Sequence, residues 1–250
     1  MVFTLRLTFL GTGDFLPNSS GHNSAFIQWN EAARLFIDFP ATNRKALNQL
    51  GYDLDIVQNL FITHLHEDHI NGLQQLAHYK TILGKGKVRL YLPEDLVEGL
   101  WNSLKEGLGY SANGLKQLED YFDLIIIRAG EEFIIEEQCF HIIRTDHIPH
   151  MISYGLLAEP YFYYSGDSKV NHVLLDSLTV HTIFHDCHMW DLPITTHPSL
   201  MEIKALGPSL TDKIVLMHYH SGYDTEEAKL QLEEKEKIRL ARPLHSYAFV

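Results

Sequence analysis

The segment His64-Leu65-His66-Glu67-Asp68-His69 constrains this chain more than any other stretch. It follows the short apolar run Asn59–Thr63, which reads as a buried strand. A helical pattern from His69 to about Lys80 follows it. At a strand end alternate side chains point to the same side, so His64 and His66 can reach one ion together. The chain then turns, and Asp68 and His69 can reach a second ion nearby. Four good donors in six residues after an apolar strand point to a metal site, not to a solvated loop.

The bulk composition limits the partners. The chain has 250 residues, 20 Lys and Arg against 32 Asp and Glu, and a net charge of −12 with histidine neutral. Gripping a phosphate backbone needs clustered cations, so a long nucleic acid is excluded as the expected partner. Sixteen histidines supply abundant neutral ligands and proton carriers. Cys139 and Cys187 are too few for a disulfide framework and suit a reducing compartment. The opening MVFTLRLTFLGTG lacks the pattern of a signal peptide, and no apolar run reaches the length of about 18 residues that a membrane span needs. The expectation is a cytoplasmic protein with no membrane partner. No repeat, low-complexity tract or linker divides the chain, so residues 1–250 are expected to form a single domain.

Periodicity predicts an α/β chain. Strands are expected at Thr4–Leu10, at Ser24–Trp29 and Arg34–Asp38 as a hairpin, and at Val88–Leu92 and Leu124–Arg128. Further strands are expected at Phe133–Ile135, Cys139–Arg144, Ile152–Ala158, Tyr161–Ser165, His181–His185 and Lys213–Met217. Helices are expected at Thr42–Leu50, Glu94–Leu104, Leu115–Tyr121, Asn171–Ser177, Leu200–Leu206 and Glu226–Leu240. Polar residues at strand ends and helices between strands suggest sheets covered by helices.

The histidine segment resembles the signature of the metallo-β-lactamase superfamily, which implies a four-layer αββα sandwich holding two metal ions. Further motifs follow in that family's order. Arg144-Thr145-Asp146-His147 resembles the third-histidine motif, Tyr164-Ser165-Gly166-Asp167-Ser168 the bridging-aspartate motif, and Val215-Leu216-Met217-His218 the last motif. The resemblance implies His64, His66 and His147 on one ion, Asp68, His69 and His218 on the other, and Asp167 between them. His220 competes with His218 for the last position, and His218 is favoured because the apolar run ends immediately before it. Zinc suits this nitrogen and carboxylate set, with manganese as an alternative. The diiron flavoprotein relatives carry Glu where this chain has His66, which favours hydrolysis by a hydroxide held between the metals.

A narrower resemblance follows. Leu10-Gly11-Thr12-Gly13, Pro17 and Asn23-Ser24 are similar to the opening of the RNase Z-like phosphodiesterase branch. Phe184-His185-Asp186 resembles a strand of that branch, with Asp186 where Glu is usual. Thr196-His197-Pro198-Ser199 resembles its later histidine motif, although Pro198 departs from it. By that resemblance His197 is the expected general acid, counted as catalytic together with Asp68. Only 20 positions separate His147 from Asp167, which leaves no room for the tRNA-clamping arm of RNase Z. The chain therefore resembles the armless cyclic-nucleotide phosphodiesterases, including the phage anti-Pycsar enzymes that evade anti-phage defence. The implied reaction converts 3′,5′-cyclic nucleotides to linear monophosphates. Asn23, His150, His197 and His220 are the expected substrate-binding residues, and Tyr154, Tyr163, Tyr164 and Tyr223 are candidates to contact a base. The resemblance also implies a homodimer. Hydrolysis of a lactone or thioester, RNA-end cleavage and ligand binding without turnover are the competing readings.

Overall fold

A computed structural model describes residues 5–192 and 194–249. Thr4, the first residue of the first expected strand, lies outside them. Two seven-stranded sheets carry the architecture. The first runs Ser246–Phe249, Leu5–Gly11, Ser24–Gln28, Arg34–Ile37, Asn59–Phe61, Val88–Pro93 and Phe122–Ile127 in spatial order. The second runs Arg239–Leu240, Ile214–Met217, Thr182–Asp186, Phe162–Tyr164, Ser153–Ala158, Gln138–Thr145 and Glu132–Ile135. Each sheet joins antiparallel hairpin strands to a parallel half.

The sheets are held face to face by aromatic side chains. Phe9 meets Phe184 at a ring separation of 5.3 Å, Tyr91 meets Phe133 at 4.8 Å, and Trp29 meets Phe140 at 5.6 Å. These rings are all buried, and large aromatic rings contribute both area and edge-to-face attraction. Helices cover the outer faces. Leu73 and Leu76 of Leu73–Ile82, and Leu100 and Leu104 of Val97–Leu108, are buried on the first side. Leu175, Ile203 and Leu232 join a separate cluster with Ile183, Ile214 and Leu216 on the second. The result is the expected four-layer αββα sandwich.

Several elements differ from the sequence reading. The helix expected from His69 to Lys80 is two helices, Glu67–Ile70 and Leu73–Ile82. Gly72 breaks it, because its N–H donates to the Phe39 carbonyl at 3.0 Å. The helix expected over Glu94–Leu104 starts as a 3-10 turn at Glu94–Leu96 and runs on as Val97–Leu108. Of the Leu115–Tyr121 helix only Leu118–Tyr121 forms, while Gly114–Leu115 pairs with Tyr110–Ser111 across a turn where Gly114 has φ 109°. The last expected helix ends at Glu236. Lys237 takes the left-handed conformation, and Arg239–Leu240 instead adds a parallel edge strand beside Ile214–Met217. The strand Ser246–Phe249, too short to stand out, pairs with Leu5–Thr8.

Gly72 carries a prediction. A Cβ there would lie 2.6 Å from the Phe39 carbonyl oxygen and 2.7 Å from the Pro40 carbonyl carbon, both backbone atoms. Overpacking of this kind costs about 1–3 kcal/mol. Gly72→Ala is expected to lower the urea midpoint accordingly, and an unchanged midpoint would show that the 39–40 backbone yields freely.

Candidate metal centre

The seven expected ligands come together beyond the carboxyl ends of strands from both sheets. Asn59–Phe61 delivers His64 and His66, and the helix Glu67–Ile70 turns Asp68 and His69 back over the same end. Gln138–Thr145 leads to His147, Phe162–Tyr164 to Asp167, and Ile214–Met217 to His218. Six of the seven are buried, and His66 is half-buried.

Two groups share one carboxylate. His66 Nδ1 lies 3.0 Å from His64 Nε2 and 3.3 Å from His147 Nε2, and Asp167 Oδ2 is 3.6 Å from His64 Nε2. On the other side His218 Nε2 is 3.4 Å from Asp68 Oδ2, and His69 Nε2 is 3.5 Å from it. Asp167 Oδ2 reaches both, at 3.4 Å from His69 and 3.3 Å from His218. The donor sets His64, His66, His147, Asp167 and Asp68, His69, His218 each fit around one ion.

The polar bookkeeping of the site fits cations. One proton can bridge only two of the three imidazole nitrogens that face each other, whereas one ion satisfies all three. Buried His69 Nε2 and Asp167 Oδ1 have no hydrogen-bond partner. Charge points the same way. Burial, with His69 next, pushes His64 well below the usual histidine range, which suits a neutral ligand. Burial also works against the charged form of His218, but Asp167, Asp68 and Asp186 outweigh it and push its pKa up to about 10. Burial favours a neutral Asp167, yet His218, His69 and His64 hold it well below the usual carboxylate range. Carboxylates that draw protons onto buried imidazoles so strongly would bind divalent cations in exchange for them.

Polar groups contact the candidate ligands and fix their orientation. Asp38, unmarked in the sequence reading except as a strand end, is fully buried. Its Oδ2 lies 2.7 Å from His69 Nδ1 and accepts from Thr63 Oγ1, while Oδ1 accepts from the Thr63 N–H. The detectable signal was a carboxylate directly after the buried run Leu35–Ile37, where an unpaired charge would be costly. Asp38 and His218 both have positive φ, 59° and 60°, the kind of strain that collects at functional sites. The Thr196 carbonyl accepts from His147 Nδ1 at 3.0 Å. Losing such an orienting contact typically costs 10–100-fold in metal affinity. Asp38→Asn is therefore expected to weaken metal uptake by about 10-fold or more, measured by chelator competition. Unchanged affinity would show that Asp38 serves packing alone.

His197 lies against both ligand groups. Its ring stacks on His218 at 5.0 Å and meets His147 edge-on at 4.8 Å. Its Nδ1 is 2.7 Å from Oδ2 of the fully buried Asp186, so an aspartate reaches where the related branch has glutamate. Burial disfavours the imidazolium, but Asp186 overcomes it and raises the His197 pKa. Pro198 fits without disruption, because its carbonyl accepts from the His188 N–H at 2.9 Å. Ser199, not His197, caps the helix Leu200–Lys204.

The other expected substrate contacts are not brought into this group. Asn23 is buried, and its Nδ2 donates to the Tyr164 hydroxyl at 2.8 Å. His150 is exposed, with φ 68°. His220 uses Nδ1 to accept from the Gly222 N–H and Nε2 to donate to the Met189 carbonyl, and it stacks on Trp190 at 4.3 Å. It clamps the loop preceding His197. Tyr154, Tyr163 and Tyr164 are buried in the core. Tyr223 lines a cavity. This cavity, of about 460 Å³, is walled by the chain on both sides of His197, including His188, Trp190, Leu192, Leu200 and Glu202.

A family profile described as Anti-Pycsar protein Apyc1 matches residues 5–247. An Anti-Pycsar protein Apyc1 of Bacillus phage vB_BveM-Goe7 is 36% identical over 244 residues, covering 91% of this chain and 93% of its own. The metallo-β-lactamase fold protein YhfI of Bacillus subtilis superposes with a TM-score of 0.74 at 15% identity, covering 98% of this chain and 100% of its own. A diphosphatase of the PhnP family gives 0.72 at 22% identity, covering 100% and 98%. These structural likenesses establish the fold as that of the metallo-β-lactamases. No helix among the described residues is long and apolar enough to cross a membrane.

Proposed function

This chain belongs to the Anti-Pycsar protein Apyc1 family and is a metal-dependent phosphodiesterase, and on that premise we propose that it opens 3′,5′-cyclic nucleotides to linear monophosphates. The observation that carries this reading is His197, pinned by Asp186 at 2.7 Å and stacked on His218. A proton donor is held against a two-ion ligand set, as cleavage of a phosphodiester with an alkoxide leaving group requires.

Each residue then has a task. His64, His66 and His147 would hold one divalent cation and Asp68, His69 and His218 another, with the Asp167 carboxylate within reach of both groups. When bound, the cations supply Lewis acidity toward the phosphoryl oxygen and lower the pKa of a water toward neutrality. Zinc fits these donors best, with manganese as the alternative. Asp38, Thr63 and Thr196 keep the imidazoles in their ligating orientation. Asp186 fixes Nδ1 of His197, which leaves Nε2 to protonate the ribose oxygen as the ring P–O bond breaks. No lysine or arginine is needed to neutralise the phosphate if the cations do so.

The cavity lined by the segments that flank His197 in sequence has the size of a small-molecule pocket, and its Trp190, Tyr223 and Leu192 offer apolar side chains to a base. An excess of acidic residues disfavours a long RNA strand. A panel of bis-p-nitrophenyl phosphate, a cyclic nucleotide, a thioester, a lactone and a 3′-extended tRNA tests the reading. Turnover of both phosphodiesters without turnover of the others is expected. Faster cleavage of the thioester, the lactone or the tRNA would overturn it.

A further inference from the structure

One group of ligating side chains lies apart from the centre. The hairpin of Glu132–Ile135 and Gln138–Thr145 forms the edge of the second sheet, with Glu132 paired opposite His141. Cys139 precedes His141 by two residues, so both leave the same face of the strand. Cys139 Sγ lies 3.5 Å from Glu132 Oε2 and 3.7 Å from His141 Nε2, and His141 Nε2 lies 3.9 Å from that same carboxylate oxygen.

Those spacings can be compared with a bound ion. Standard bond lengths in a tetrahedral zinc site separate sulfur from nitrogen by roughly 3.6 Å, sulfur from oxygen by roughly 3.5 Å and nitrogen from oxygen by roughly 3.3 Å. Both sulfur spacings agree with this within about 0.1 Å. The nitrogen–oxygen spacing closes by a small rotation of Glu132, whose side chain is 60% exposed and free to move. The three atoms form one of the compact donor groups of the chain, and the only one of these that contains sulfur among the described residues.

We propose that Glu132, Cys139 and His141 form a second, peripheral site for a thiophilic divalent cation of the zinc class, with its fourth position open to water. On binding, the Cys139 thiol loses its proton to solvent and the thiolate takes its place on the ion. Burial and the Glu132 carboxylate raise the Cys139 pKa, so uptake strengthens as pH rises. The ion would tie the edge strand to Gln138–Thr145, the strand that leads to His147.

Cobalt(II) distinguishes this site from the main centre, because the seven ligands there include no sulfur. The whole protein would be stripped with a chelator, reloaded with cobalt and examined for thiolate-to-cobalt charge-transfer absorption and for cobalt per chain. The expected result is a charge-transfer band in the native protein that is lost in Cys139→Ser and His141→Ala but kept in Cys187→Ser. Cys139→Ser should also bind one cobalt fewer. Glu132→Ala should weaken the affinity that the band reports. Absence of the band in the native protein, its persistence in Cys139→Ser or His141→Ala, or its indifference to Glu132→Ala would overturn the proposal and leave a thiol–carboxylate hydrogen bond.

Discussion

Asp167→Ala is expected to abolish turnover and leave the protein with less than its full complement of metal. Asp167 Oδ2 lies within 4 Å of a ring nitrogen of each of His64, His69, His147 and His218. Removing it separates the two ligand groups and leaves four imidazoles without their shared anion. Metal catalysis of this type supplies several kcal/mol, so the loss should be about 10³-fold or more. The fold should survive, because the aromatic layer between the sheets does not depend on this carboxylate. Metal analysis and a rate assay on the same sample check both parts. Turnover within a few-fold of the native protein would refute the placing of Asp167 between two ions.

His197→Ala is expected to keep both ions yet slow the reaction by about 10²–10⁴-fold, the usual worth of a positioned acid. The decisive feature is its dependence on the leaving group. A ribose oxygen needs a proton to depart, whereas p-nitrophenolate does not. The loss should therefore be large on a cyclic nucleotide and small on bis-p-nitrophenyl phosphate. Asp186→Asn should give the same pattern more weakly, because it disturbs the orientation and charge of His197 and leaves the imidazole in place. Equal losses on the two substrates would show that His197 positions substrate or supports His218 and donates no proton.

Most strands of the two sheets were legible in the sequence from their apolar runs. The seven candidate ligands were picked out by motifs resembling a family's, and the structure brings those side chains into two adjoining groups. The choice of His218 over His220 also agrees with the geometry, since His218 joins Asp68 and His69 while His220 clamps Met189 and Trp190. Asp38 was not legible as a partner of His69, because they lie 31 positions apart and only the packing of the helix Glu67–Ile70 against the end of the strand Arg34–Ile37 joins them. Asn23 carried a family motif, but the sequence could not show that its amide is turned into the core toward Tyr164. The helix break at Gly72 and the strand at Arg239–Leu240 depend on tertiary contacts with Phe39 and Ile214–Met217. Local propensity does not encode such contacts.

The most direct test is product formation from 3′,5′-cyclic AMP, GMP, CMP and UMP by the zinc- or manganese-loaded protein, resolved by chromatography beside Asp167→Ala. The account predicts linear monophosphates from the native protein and none from the variant. Fully metal-loaded native protein that leaves all four cyclic nucleotides intact would contradict it.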